Sequence, residues 1–189
     1  DIFLNNKIGF IKKSNDKIQY SKDVVLFGFG RIGRLCAREL IKQAGKGQQL
    51  RLKGIILRDI NAESLNKRCA LLRQDSVHGN FSSSIKINEE NLSIIINGQT
   101  IQFFDEKTKH KLKEHGIHDA LLIDNTGIFK TQESLSQHLK IEGITKVLLT
   151  APGKGIPNIV YGVNQDEIDI KSDSIISAAS CTTNAIAPI

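Results

Sequence analysis

Two stretches of the sequence hold side chains and spacings that could do chemistry. In Ser180-Cys181-Thr182-Thr183-Asn184 a thiol sits among hydroxyls, where the apolar run through Ser177-Ala178-Ala179 gives way to a helix start. A thiol at a helix N-terminus lies at the positive end of the peptide dipole, beside free backbone N–H groups. The thiolate, the nucleophilic form, is favoured there. A buried structural cysteine is the competing reading, since free cysteine packs as a small hydrophobe; the hydroxyls of Ser177, Ser180, Thr182 and Thr183 argue against a dry apolar niche. The second stretch is Gly28-Phe29-Gly30-Arg31-Ile32-Gly33, directly after the apolar run Val24-Val25-Leu26-Phe27. In that setting Gly28 allows a tight turn, Gly30 lets a pyrophosphate approach the backbone, and Gly33 lets a helix pack close to the sheet. The phosphates then lie at the helix N-terminus.

The surrounding elements must hold these two stretches in place. Val24 to Phe27 reads as a strand buried on both faces, and Ile32, Leu35, Cys36, Leu40 and Ala44 recur behind it at helical spacing. Leu52 to Leu57 reads as a second strand, ending in Arg58-Asp59; the helix behind it carries Leu65, Cys69 and Leu72 on one stripe. Cys36 and Cys69 are therefore expected in the core. Ile85 and Ile87, then Leu92, Ile94 and Ile96, then Ile101 and Phe103 alternate with polar residues, and Asn97-Gly98 supplies a two-residue hairpin turn. Strands of the parallel type return at Ala120 to Ile123 and at Lys146 to Thr150, with a helical stretch around Glu133 to Leu139 between them. The pattern predicts an α/β fold, a doubly wound Rossmann-type parallel sheet with an inserted antiparallel meander.

Asp59, closing the second strand, can accept both hydroxyls of an adenosine ribose, which favours NAD over NADP because a 2′-phosphate would face a carboxylate. Arg58 beside it could compensate a phosphate charge, so NADP stays open. The interval from Gly33 to Asp59 exceeds the usual ~20 residues; a longer loop at Gly45-Lys46-Gly47-Gln48-Gln49 accounts for it. Composition narrows the partners. A net charge of +6 is spread along 189 residues with few aromatics, unlike the dense stripe of a nucleic-acid binder, and suits anionic small molecules. No apolar run approaches the ~20 residues of a membrane span, and no signal segment opens the chain. Cys36, Cys69 and Cys181 form neither a disulfide framework nor a metal-ligand spacing, which fits a reducing cytoplasm. His78 is expected to order its loop, and His110, His115, His118 and His138 look solvated.

Together with the glycine turn and the cysteine motif, Leu71 to Gly79, Thr126-Gly127-Ile128-Phe129, Thr150-Ala151-Pro152 and Val160-Tyr161-Gly162-Val163-Asn164 run in an order that resembles the phosphorylating glyceraldehyde-3-phosphate dehydrogenases from Val24 to Ile189. Ala151-Pro152-Gly153-Lys154-Gly155 and the segment before Val24 look like a bacterial form with an extended N-terminus. The resemblance implies that Arg31 and Ile32 present backbone to the NAD pyrophosphate and that Asp59 holds the adenosine ribose. It places Lys107 near the adenine, Thr126 and Gly127 along the adenine-side pocket and Thr150 near the nicotinamide end. Ser180 and Thr182 would help bind a phosphate, and Cys181 would be the nucleophile toward a small phosphorylated aldehyde, with inorganic phosphate as second substrate. A homo-tetramer is implied for the full-length protein. Asp124-Asn125 replaces the family's usual Glu followed by Ser or Cys, and Ala185 stands where a second cysteine is common.

Three segments are expected: residues 1–23 of unread role, a loose hairpin or the tail of an upstream segment; a NAD-binding domain over 24–178; and the start of a catalytic domain at 179–189. The absence of an initial methionine and the stop directly after the cysteine motif suggest a piece of a larger protein, with the catalytic base, the remaining phosphate ligands and the asparagine that fixes the nicotinamide amide beyond residue 189. Erythrose 4-phosphate is the nearest rival substrate. An aspartate-semialdehyde dehydrogenase fits Cys181-Thr182-Thr183-Asn184 poorly, and a non-catalytic NAD-binding module is the rival from another class.

Overall fold

The computed structural model describes residues 21–44, 50–167, 169 and 172–189. Most of the segment 1–23 and the loop 45–49 lie outside these residues. The first strand, β1 (Lys22–Phe27), opens two residues before the apolar run. Its side chains enter alternate cores: Val24 and Leu26 pack on one face of the sheet, Val25 and Phe27 on the other. A strand wholly covered in this way needs apolar residues at consecutive positions, and Val24 to Leu26 are fully buried.

Parallel partners flank β1 on both sides. One is β2 (Leu50–Ile56) and the other is β8 (Ala120–Asp124). The main sheet runs β10-β9-β8-β1-β2-β7-β6-β5, with β9 (Ile144–Leu149) and β10 (Ile175–Ser177) beyond β8. The meander consists of β5 (Ile85–Asn88), β6 (Ser93–Ile96) and β7 (Gln99–Phe104), with Asn97 and Gly98 both at positive φ in the turn. It continues the main sheet, because β7 pairs in parallel with β2 from Gly54↔Gln102 to Ile56↔Phe104. A short antiparallel pair, β3 (Gln74–Asp75) with β4 (Gly79–Asn80), lies apart from it.

Helix α1 (Arg31–Gln43) buries Gly33, Ala37 and Ile41. The sequence stripe is corrected accordingly: Ile32 is 54% exposed, and Cys36 and Leu40 pack only partly against the core. The small residues Gly33 and Ala37 let the helix lie on the sheet and turn the larger side chains to its flanks. Helix α2 (Ala62–Arg73) buries Leu65, Cys69 and Leu72 as its spacing implies. Helix α3 (Gln132–Ser136) passes into a 3₁₀ turn over Gln137–Lys140. Here the expectation of a solvated His138 fails. Three residues after the buried Leu135, its ring shares the inward face and is only 4% exposed. Phe27 and Phe129 flank it, with ring centroids 4.6 and 5.0 Å away. His110, His115 and His118 are exposed.

Candidate functional site

The glycine turn follows β1 and shows why each glycine is needed. Gly28 has φ +89°, and a Cβ there would lie 2.9 Å from the Thr126 methyl carbon. At Gly33 a Cβ would lie 2.4 Å from the Gly28 carbonyl oxygen, inside contact distance of backbone that cannot yield. Gly30 differs from both: nothing lies within 4 Å of a Cβ built there. This is open space at the start of α1, where Gly30 provides no capping side chain and the first turn holds no acid. The other described α-helices are closed by their own sequence. Asn61 and Thr131 form capping boxes with Ser64 and Ser134, and Ser180 caps the last helix. Helix α1 alone among them leaves its first N–H groups to an outside acceptor.

A crevice of about 490 Å³ opens beside this turn, lined among others by Gly28, Phe29, Arg58, Asp59, Arg68 and Thr126. Asp59 and Arg58 are exposed in it. Lys107 is exposed on the loop after β7, its backbone N–H bonded to Asp105; its neighbour Glu106, not Lys107, lines the crevice. Arg31 turns its side chain toward the β3–β4 hairpin, with Nε 3.5 Å from Asp75 and Nη2 donating to Ser76. Asp75 accepts from the backbone N–H groups of His78 and Val77, and the His78 ring lies 3.0 Å from the same oxygen. These bonds, the His78 amide first, and then the Arg31 charge hold the Asp75 carboxyl well below the usual carboxylate range. His78 thus sits where it can order its loop.

Asp124, at the end of β8, is fully buried and ties the crevice wall together. One carboxyl oxygen accepts from the Thr126 N–H and hydroxyl, both at 2.7 Å, and the other lies 2.9 Å from His138 Nε2. Its carbonyl accepts from the N–H and hydroxyl of Thr150, at the end of β9. The residues expected at the two ends of the cofactor, Thr126 and Thr150, therefore hang on one aspartate. Gly127 continues that turn at φ +69°. The sequence singled out Asp124 only as a departure from a pattern. The three-residue interval from Leu135 was the available signal for His138.

Cys181 opens helix α4 (Cys181–Ile186) and is exposed. The Ser180 hydroxyl oxygen accepts from the Thr183 N–H at 2.9 Å, and the Asn184 amide donates to the carbonyls of Ala178 and Ser180. Ala179, at φ +58°, bends the chain out of β10. Thr182 is exposed and Ser180 half-buried. The other thiols differ: burial pushes Cys69 up to about 11, with Arg73 opposing, and raises the half-buried Cys36 as well. Cys181 lies beyond the C-terminal end of β10, three strands from β1, about 14 Å across the sheet at the usual strand spacing. Asp59, Gly28, Thr126, Thr150 and Cys181 follow the ends of β2, β1, β8, β9 and β10 in that spatial order.

A parallel sheet whose connections diverge on the two sides of β1, with an uncapped glycine turn at the divergence, defines a dinucleotide-binding domain of the doubly wound class. The profile of the family described as glyceraldehyde 3-phosphate dehydrogenase, NAD binding domain, matches residues 22–132. The chain belongs to that family and carries its NAD-binding domain. It is 51% identical over 180 residues to a glyceraldehyde-3-phosphate dehydrogenase-like protein of Pseudomonas aeruginosa (strain UCBPP-PA14), covering 94% of this chain and 39% of that protein. Over 167 residues it is 36% identical to the glyceraldehyde-3-phosphate dehydrogenase of Chlamydia pneumoniae, covering 88% and 47%. Glyceraldehyde-3-phosphate dehydrogenase 1 of Agaricus bisporus is 36% identical over 165 residues, covering 87% and 46%. The chain thus spans from two-fifths to about half of the length of these relatives. The residues present fit NAD: space at Gly30, N–H groups at the start of α1 without a side-chain cap, and an exposed carboxylate at Asp59.

Proposed function

We propose that the protein oxidises and phosphorylates a small phosphorylated aldehyde, glyceraldehyde 3-phosphate, through Cys181. The observation that carries this reading is the order of Asp59, Gly28, Thr126, Thr150 and Cys181 along one edge of the sheet. A dinucleotide would be held by Asp59 at its adenosine and by Gly30, Arg31 and Ile32 at its pyrophosphate, and Thr126 and Thr150 would line the way to the thiol. Bound there, NAD supplies a hydride acceptor.

The Cys181 thiolate adds to the aldehyde carbon and forms a thiohemiacetal oxyanion, to which the Cys181 backbone N–H at the start of α4 would donate. Loss of hydride leaves a thioester on Cys181. Inorganic phosphate attacks its carbonyl carbon, the C–S bond breaks, and the acyl phosphate leaves with the thiolate restored. Ser180 and Thr182 bind phosphate oxygens beside the thiol, Ser180 while still capping α4. Residues 24–178 act as the NAD-binding domain and 179–189 open the catalytic one. The full-length protein works as a homo-tetramer in the cytoplasm, where its thiols stay reduced. Among the described residues no helix is long and apolar enough to cross a membrane.

The test is turnover of the full-length protein with glyceraldehyde 3-phosphate, phosphate and NAD. Cys181→Ser is expected to lower kcat by about a thousandfold or more while NAD still binds. Full activity in that variant, or NAD binding without oxidation of this aldehyde by the wild type, overturns the reading; faster oxidation of erythrose 4-phosphate would move the substrate and keep the mechanism.

A further inference from the structure

The Asp59 end of the crevice carries two arginines and, among the described residues, one carboxylate without an ion pair. Arg58 and Arg68 line it together with Asp59 and Glu106. Glu106 is engaged by the Lys109 ammonium, which leaves Asp59 as the one lining carboxylate without an ion pair among the described residues. Arg68 reaches the site from the middle of α2. Its Nε is buried and has no hydrogen-bond partner among the described residues, and the same holds for Nε of Arg34 on α1. Burial, first, lowers the Arg68 pKa from its ordinary value; the Asp59 charge opposes that and the Arg34 charge adds to it. Two arginines share the lining with the exposed Asp59 carboxylate, and the Arg34 charge adds repulsion at Arg68, an arrangement that favours an added anion. A guanidinium offers the planar, multi-donor surface that a phosphate monoester takes.

We propose that this pocket also accepts a phosphate on the 2′ oxygen of the adenosine ribose, so that NADP binds as well as NAD, with Arg68 as the residue that selects for it. Arg58, exposed at the end of β2, supplies the second positive charge, and Asp59 yields the 2′ position by turning into solvent. The inference rests on the dinucleotide reading of the crevice and adds to it the phosphate at one ribose.

Two adenosine fragments isolate the question: 5′-AMP, which fills the adenosine end alone, and 2′,5′-ADP, which adds only the 2′-phosphate. Calorimetric titration of the full-length protein is expected to give 2′,5′-ADP an affinity equal to or tighter than that of AMP. NADP is expected to bind within about tenfold of NAD, the change that one modest charge contact makes. Arg68→Leu is expected to weaken 2′,5′-ADP and NADP by about tenfold or more and AMP by less than about threefold, and Arg68→Lys to restore part of the loss. Weaker binding of 2′,5′-ADP than of AMP by more than about tenfold overturns the proposal while leaving the NAD site intact. Equal weakening of both fragments in Arg68→Leu also overturns it, since Arg68 would then be stacking on adenine or holding Asp59. If neither AMP nor NAD binds to the wild type, the dinucleotide reading itself falls. Thermal melting checks that each variant is folded, and Asp59→Asn, which removes the competing carboxylate, gives an independent arm expected to tighten 2′,5′-ADP.

Discussion

The helices that follow β1 and β2 begin in opposite ways. At α2 the Asn61 side chain accepts from the Ser64 N–H at 2.8 Å, and the Ser64 hydroxyl lies 3.1 Å from the Asn61 N–H, a closed reciprocal pair. At α1 the corresponding position is Gly30, with no side chain, no acid in the first turn and empty space around it. A polar N-cap is worth about 1 kcal/mol of stability, so α1 forgoes stabilisation that its neighbour takes. Binding is assigned to one helix and support to the other: the uncapped helix keeps its dipole and N–H groups for a ligand, and the capped one is scaffold.

The start of α1 is most vulnerable at Gly33, where the helix touches the turn. Gly33→Ala would drive a methyl group to 2.4 Å from the Gly28 carbonyl oxygen. Because the opposing atom is backbone, relief requires α1 to move off β1. A loss of about 3 kcal/mol or more is expected, at the upper end of overpacking costs, measured as a fall in the urea midpoint, with NAD binding lost alongside. A variant as stable as the wild type would mean that α1 does not lie this close to the turn.

The glycine turn, the parallel strands and the Asn97-Gly98 hairpin were legible because each is specified by neighbouring residues. Val24 to Phe27 needs no distant information to read as a doubly buried strand. What stayed hidden depends on partners on other elements of the fold. His138 is buried because Asp124, fourteen residues earlier, receives its ring. Arg68 shares the crevice lining with Asp59 only through the fold, which no periodicity reports. Ile32 was misplaced for a different reason: helical spacing fits two adjacent stripes of α1, and the contact at Gly33 decides between them. For Cys181, position at the sheet edge follows from strand order, whereas its flanking hydroxyls pointed only to a polar setting.

A smaller and sharper test exchanges the two helix starts. Gly30→Asp fits the backbone, since φ is −72° at that residue, and gives α1 the cap it lacks. Stability is expected to rise by about 1 kcal/mol, while NAD affinity falls by about a hundredfold or more, because a carboxylate then stands against the pyrophosphate. Asn61→Ala is expected to do the reverse: a loss of about 1 kcal/mol with NAD affinity unchanged within about twofold. Calorimetric NAD titration and thermal melting of both variants check this. Opposite signs for the two support the division of labour, and parallel losses of stability and binding in both would abolish it.

The smallest effect concerns the hairpin that Arg31 reaches. Asp75 is held below the ordinary carboxylate range first by the His78 N–H, then by Val77 and the His78 ring, with the Arg31 charge adding to them. A carboxyl whose folded pKa lies below its unfolded value stabilises the protein above that unfolded value, about 3.9 for aspartate. The contribution is lost as pH falls from there through the folded value, where the native state must also take up the proton. Asp75→Asn keeps an acceptor for the two backbone N–H groups and removes only the charge. The gap between wild-type and variant urea midpoints should narrow as pH falls below about 4. A gap that persists unchanged at pH 3 would show that the hairpin is held by hydrogen-bond geometry alone, and that Arg31 gains nothing from the carboxylate beside it.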